Sequence, residues 1–314
     1  MKKSVIVLLA VVGAVAFAQP ARKRPTIAVI PKGTTHVYWK GVEAGAKKAG
    51  EEFNAEIIFK GPIKENDRAG QIQVVQQFVS QGVDGIALAP LDIKALVGPV
   101  QAATAKKIPV VIIDSALDGT PGKDFSAYIA TNNEQAGKLG GEELVRLLEK
   151  KGKAVLLRYQ VGSASTDDRE KGFLSAVAAA KDCNVISDNR FAGPTAGEAK
   201  TAALNMIDDI KKADGVFTPN ESSTLGMLLA LRQEGLAGKI KFVGFDSSPP
   251  LVEALKKGEI HALVVQSPRK MGYEAVKAIV RQLNGEKIEA TMDTGAVVVT
   301  KANLEQPEIK ALIE

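Results

Sequence analysis

The chain has 314 residues, 45% of them hydrophobic and 25% charged, which is ordinary for a globular protein and enough for two modest domains. Its formal charge of +5 falls to +3 without Lys2 and Lys3, and the other basic residues alternate with acids such as Glu51-Glu52, Glu142-Glu143 and Asp208-Asp209. That excludes a disordered chain and argues against a nucleic-acid binder, whose basic residues cluster on one face.

The first predicted element is an export signal, residues 1–18. Lys2 and Lys3 supply the positive start, Val5 to Phe17 the apolar stretch, and Ala16-Phe17-Ala18 the small-x-small cleavage pattern, so the mature chain is expected to begin near Gln19. The 13 apolar residues fall short of the roughly 20 that span a bilayer as a helix, and a soluble mature protein is expected. Arg22-Lys23-Arg24 reads as a solvated tail. Cys183 is the only cysteine, so no intramolecular disulfide can form, and it reads as a small packed side chain.

From Thr26 onward, short β-branched runs alternate with segments of helical period, the pattern of βαβ units and a parallel sheet. Predicted strands in the first half are Thr26–Pro31, Ala55–Phe59, Gly85–Ala89, Pro109–Asp114 and Ser126–Ala130. Those in the second half are Ala154–Arg158, Asn184–Ser187, Gly215–Thr218, Lys241–Phe245 and Ala262–Gln266. Ile72, Val75, Gln76 and Val79 illustrate the helical spacing between them.

Pro31-Lys32-Gly33-Thr34-Thr35-His36 follows the first strand and leads into Tyr38 and Trp39, the latter the only tryptophan. Rings at a scaffold's edge can stack on flat apolar ligand faces; at helical spacing they can equally be core. Two aspartates end apolar strands in an internal repeat. Val83-Asp84-Gly85-Ile86 leads to Asp114-Ser115, and Ala213-Asp214-Gly215-Val216 leads to Asp246-Ser247, with the aspartates 30 residues apart in one half and 32 in the other. Ligands of open parallel sheets bind beyond the carboxyl ends of the strands, so Asp114 and Asp246 would meet in a crevice between two similar domains. There they would accept charge-assisted hydroxyl hydrogen bonds, or else cap helices. Arg169, at the start of a helix after Gly162-Ser163, offers a planar fork of donors for oxygens, or a surface partner for Asp167. Asn220 and Gln266 stand after or at strand ends, where an amide can match a hydroxyl or serve a turn or hinge.

Catalytic patterns are missing. His36 and His261 are the only histidines and have no metal-ligand spacing, and no Gly-x-Ser-x-Gly elbow, phosphate loop or dinucleotide fingerprint follows a predicted strand. Neither catalysis nor a cofactor is expected.

In order along the chain, Gly41-Val42-Glu43-Ala44-Gly45-Ala46, Gly82-Val83-Asp84-Gly85-Ile86, Ile108 to Asp114, Arg169-x-x-Gly172-Phe173, Val216 to Glu221, Val243 to Asp246 and Gln266-Ser267-Pro268 resemble the ribose-type (type I) periplasmic sugar-binding proteins of ABC transporters. The resemblance runs from Ile27 to about Val299. It implies two similar doubly wound parallel-sheet α/β domains on a three-strand hinge. One lobe would comprise 26–131 plus 267–294, the other 132–266 plus 295–314, with crossings near Thr131-Asn132, Gln266-Ser267 and Thr294-Gly295. It also implies a monomeric periplasmic receptor that hands a monosaccharide to an inner-membrane permease. Positions matching Tyr38, Trp39, Asp114, Arg169, Asn220, Asp246 and Gln266 contact sugar in such receptors, and Phe191 or a neighbour would supply an opposing ring. His36, Trp39 and Ser115 depart from the ribose receptor. Ile30-Pro31-Lys32 and Lys60-Gly61-Pro62 look like the branch of rhamnose and autoinducer 2 receptors, and in the latter a lysine matching Lys32 and an acid near Asp167 take part in binding. A sensory receptor for a sugar or furanosyl signal is the alternative implied.

Overall fold

The computed structural model describes residues 24–313. The export signal and its cleavage point lie outside the described residues.

The first half runs β1 (Thr26–Ile30), α1 (Tyr38–Glu52), β2 (Glu56–Phe59), α2 (Arg68–Gln81), β3 (Gly85–Leu88), α3 (Val97–Ala105), β4 (Val110–Ile113) and β5 (Ala127–Ala130). The second runs α4 (Asn133–Leu147), β6 (Lys151–Arg158), α5 (Ala164–Ala179), β7 (Asp182–Phe191), α6 (Ala196–Asn205), α7 (Ile207–Ile210), β8 (Gly215–Phe217), α8 (Glu221–Gln233), β9 (Lys241–Phe245), α9 (Pro249–Lys257) and β10 (Ala262–Gln266). The chain then returns through α10 (Pro268–Leu283) and β11 (Thr291–Asp293) to β12 (Ala296–Thr300) and α11 (Pro307–Ile313).

Two six-stranded sheets result, ordered β11-β5-β4-β3-β1-β2 and β12-β10-β9-β8-β6-β7. Among the described residues all strand pairings are parallel except β10 with β12, so the second sheet carries one antiparallel edge that the alternation of strands and helices does not predict. Strands β11 and β12 fall outside the ten expected. Each swaps sheets relative to its neighbour in sequence: α10 and β11 return to the first lobe, and β12 goes back to the second.

Parallel strands need cover on both faces, and each sheet has it. One apolar cluster joins α1 and α10 to the first sheet through Val42, Ala46, Met271 and Ile279, and another joins α2 and α3 through Val75, Phe78 and Val100. The second sheet buries Leu144 and Phe173 of α4 and α5 on one face, and Ala199, Met227 and Leu251 on the other. Glycine lets the paired helices approach: a Cβ at Gly45 or Gly272 would run into backbone across the α1–α10 contact, as one at Gly137 or Gly172 would across α4–α5.

Candidate functional site

The carboxyl ends of β1, β4, β6, β9 and β10 converge on the gap between the sheets. Asp114 and Asp246, each one residue past its strand, both adopt the left-handed backbone conformation, with φ of 63° and 68°. Aspartate tolerates this conformation better than most residues, and the turn ends the ladder at that point. Both carboxylates are buried on the same small cavity.

In lobe one, Lys32 reaches from the loop after β1 to Asp114, Nζ to Oδ2 2.8 Å, and donates across the gap to Ser165 Oγ at 2.8 Å. In lobe two, Asp246 Oδ1 accepts Gln266 Nε2–H at 2.7 Å and Oδ2 accepts the Glu221 backbone N–H at 2.9 Å. Gln266 Oε1 accepts from Arg169 Nη2 at 2.8 Å. The same guanidinium donates Nε–H to Asn133 and Nη1–H to the Pro219 carbonyl, and lies 4.1 Å from the centre of the Phe245 ring. Arg169 is thus fixed by the body of lobe two and by Asn133 at the foot of α4. Burial pushes Asp246 up to about 6, because it outweighs the opposing pull of Arg169 and Gln266; Glu221 and Asp114 add to the rise.

His36 sits between Glu65, Nδ1 to Oε1 2.8 Å, and the Pro194 carbonyl oxygen, 2.9 Å from Nε2. Neither oxygen carries a hydrogen, so both ring nitrogens must donate and the ring is an imidazolium. Burial works against that charge, but the Glu65 carboxylate outweighs it and raises His36 to about 9. For Glu65 burial is likewise overruled, here by His36, Lys32 and the Trp39 hydrogen bond, and its carboxyl falls to about 2. Trp39 Nε1–H donates to Glu65 Oε1 at 2.7 Å and the Tyr159 hydroxyl to Oε2 at 2.9 Å. Glu221 of lobe two caps the start of α1, accepting Val37 N–H at 3.2 Å and Tyr38 N–H at 2.9 Å.

The cavity left between these side chains is small, about 20 Å³, well below the roughly 300–1,000 Å³ of small-molecule sites. Nine of the expected residues line it: Lys32, His36, Tyr38, Trp39, Asp114, Arg169, Asn220, Asp246 and Gln266. Two of them also serve structure, since Asn220 caps α8 through Ser223 and Trp39 packs in the core of lobe one. Ser115 stands just behind the wall, its hydroxyl accepting the Ser165 N–H. Asp167 lies exposed on the first turn of α5, outside the cavity lining. The structure does not bring Phe191 to the cavity either: at the far end of β7 its side chain is 42% exposed, and the ring facing the site from lobe two is Tyr159. Glu65, Tyr159, Ser165 and Thr166 complete the lining without having been expected. Tyr159 follows a predicted strand directly, and Ser165 and Thr166 follow a Gly-Ser turn, so position could have flagged those three; no pattern marks Glu65.

Such a wall offers two carboxylates as acceptors, amides that accept and donate, fixed cations and three aromatic rings. Residues 27–287 match the periplasmic binding protein domain family. This chain is a periplasmic binding protein. Within that family it is of the ribose type. It is 28% identical over 305 residues to the ribose import binding protein of Salmonella typhimurium, covering 96% of this chain and 99% of that one. A solved carbohydrate transporter solute binding protein from Agrobacterium radiobacter, in complex with D-arabinose, is 35% identical to this binding protein. It superposes with a TM-score of 0.88 over 94% of this chain and 100% of that one. An ABC transporter solute binding protein from Agrobacterium vitis with bound D-fucose gives the same identity and TM-score over 92% and 100%.

Proposed function

We propose that this periplasmic binding protein captures a neutral monosaccharide between its lobes and delivers it to an ABC permease in the inner membrane. The observation that carries the reading is the pair Asp114 and Asp246, one from each sheet, turned by the same backbone conformation onto one small polar cavity. Asp114 paired with Lys32, and Asp246 held by Gln266 with Arg169 behind it, leave acceptor sites for hydroxyl donors with cations close by to balance their charge. Tyr38, Trp39 and Tyr159 supply flat faces for the C–H side of a sugar ring. Asn220, Gln266 and Arg169 contribute donors, and Lys32 and His36 the charges that hold the carboxylates in place.

The lobes, 26–131 with 267–294 and 132–266 with 295–314, turn about the three crossings, and a ligand touching both favours the closed arrangement. Relatives named as import proteins favour transport over the sensory alternative. The protein acts as a monomer, is exported with cleavage near Ala18, and releases its sugar unchanged.

A thermal-shift panel of pentoses, hexoses, deoxysugars and polyols tests this reading. A ligand at 100 times its Kd adds about 2.7 kcal/mol of stability, and some neutral sugar should produce that shift. A flat panel, with no change in Trp39 fluorescence, contradicts it.

A further inference from the structure

Glu65 occupies the loop between β2 and α2, where Lys64-Glu65-Asn66-Asp67 reads as solvated surface, yet its side chain is buried. Three side chains donate to its two oxygens. Trp39 and His36 of lobe one share Oε1, and the Tyr159 hydroxyl of lobe two takes Oε2. Its backbone carbonyl accepts Gln160 Nε2–H of lobe two at 2.9 Å. His36, held by Glu65, carries a further hydrogen bond across the gap to the Pro194 carbonyl. One residue of lobe one thus organises three contacts with lobe two, and most of its acceptor capacity is already used by protein donors.

We propose that Glu65 is a positioning residue that latches the lobes together, setting ligand affinity through the closed arrangement instead of by contact with the sugar. Parting the lobes removes Tyr159, Gln160 and the Pro194 carbonyl together and lets water reach the Glu65–His36 pair. The low dielectric that strengthens these bonds exists only while the gap is shut. Loss of the latch should therefore speed ligand escape and leave capture nearly unchanged.

The link to affinity rests on the receptor reading above. Stopped-flow Trp39 fluorescence with D-arabinose or D-fucose, whichever binds the wild-type protein, provides the test. Glu65→Gln keeps the shape but leaves one acceptor oxygen for three donors. It should raise Kd tenfold or more through faster dissociation, with association within twofold. Tyr159→Phe should speed dissociation at least threefold alone, and less than twofold in the Glu65→Gln background, because both changes remove the same bond. Kd within twofold of wild type for Glu65→Gln, a loss confined to association, or additive effects of the two changes would overturn the latch. If Glu65→Gln does not fold, an unchanged dissociation rate in Tyr159→Phe does so. If no sugar binds, the receptor reading falls, and small-angle scattering of the ligand-free proteins decides the latch separately: Tyr159→Phe should show a larger radius of gyration than wild type, and equal radii would refute it.

Discussion

Asp114 closes β4 of lobe one and Asp246 closes β9 of lobe two, both in left-handed backbone and both followed by serine, yet their surroundings differ. Lobe one sets a full cation, Lys32, against its carboxylate. Lobe two offers dipoles, the Gln266 amide and the Glu221 backbone N–H, and keeps Arg169 one step away behind Gln266. The repeat conserves the device that aims the carboxylate; the neutralising partner is free to vary. Burial, opposed by Arg169 and by the Gln266 hydrogen bond without being overcome, raises Asp246 to about 6.

The largest expected effect comes from deleting either carboxylate. Asp114→Ala and Asp246→Ala should each weaken sugar binding by roughly a hundredfold or more in calorimetric titration, given about 1.5–3 kcal/mol for each hydrogen bond to a charged group. Asp114→Ala should also lower the melting temperature, since Lys32 would lose its buried partner, whereas Asp246→Ala strands no cation; equal melting temperatures would erase the contrast between the lobes. Next comes Arg169→Lys, which cannot reproduce a fork donating to Asn133, Pro219 and Gln266 at once and should cost about 2–4 kcal/mol of stability in thermal unfolding.

A smaller effect follows from titration. Asp246 holds its proton more tightly in the folded protein than its ordinary value of 3.8 allows in the unfolded chain. Its contribution therefore favours folding at low pH and is lost as pH rises through about 6. Hydroxyl donors prefer the ionised form, so affinity should be highest above pH 6, fall below it, and be accompanied by proton release on binding near pH 5–6. Titrations in buffers of different ionisation enthalpy measure that release, and Asp246→Asn should abolish it. Least affected should be Phe191→Ala, which lies outside the cavity; a Kd change beyond twofold would return that ring to the site.

Much of this was legible because strand ends are legible. Runs such as Val110 to Ile113 and Lys241 to Phe245 stop at aspartate, and the rule that ligands bind beyond carboxyl ends does the rest. The repeated Asp-Ser step marks a strand-end carboxylate in each half. Phe191 stands away from the cavity because β7 extends to that residue, past the expected end at Ser187, carrying the ring to the far end of an edge strand. Strand β12 carries the β-branched run Val297-Val298-Val299, but it returns after α10 and β11, beyond the regular alternation that identified the others. Glu65 had no signal at all, since charged neighbours in a loop imply solvent and only the packing of two distant segments buries it.

The measurement closest to the central claim is a crystal structure of the receptor with the sugar that stabilises it most. The account predicts ring hydroxyls within hydrogen-bond distance of both Asp114 and Asp246, with the lobes closed on the ligand. A sugar bound to one lobe alone, or seated outside the gap between the two aspartates, would contradict it.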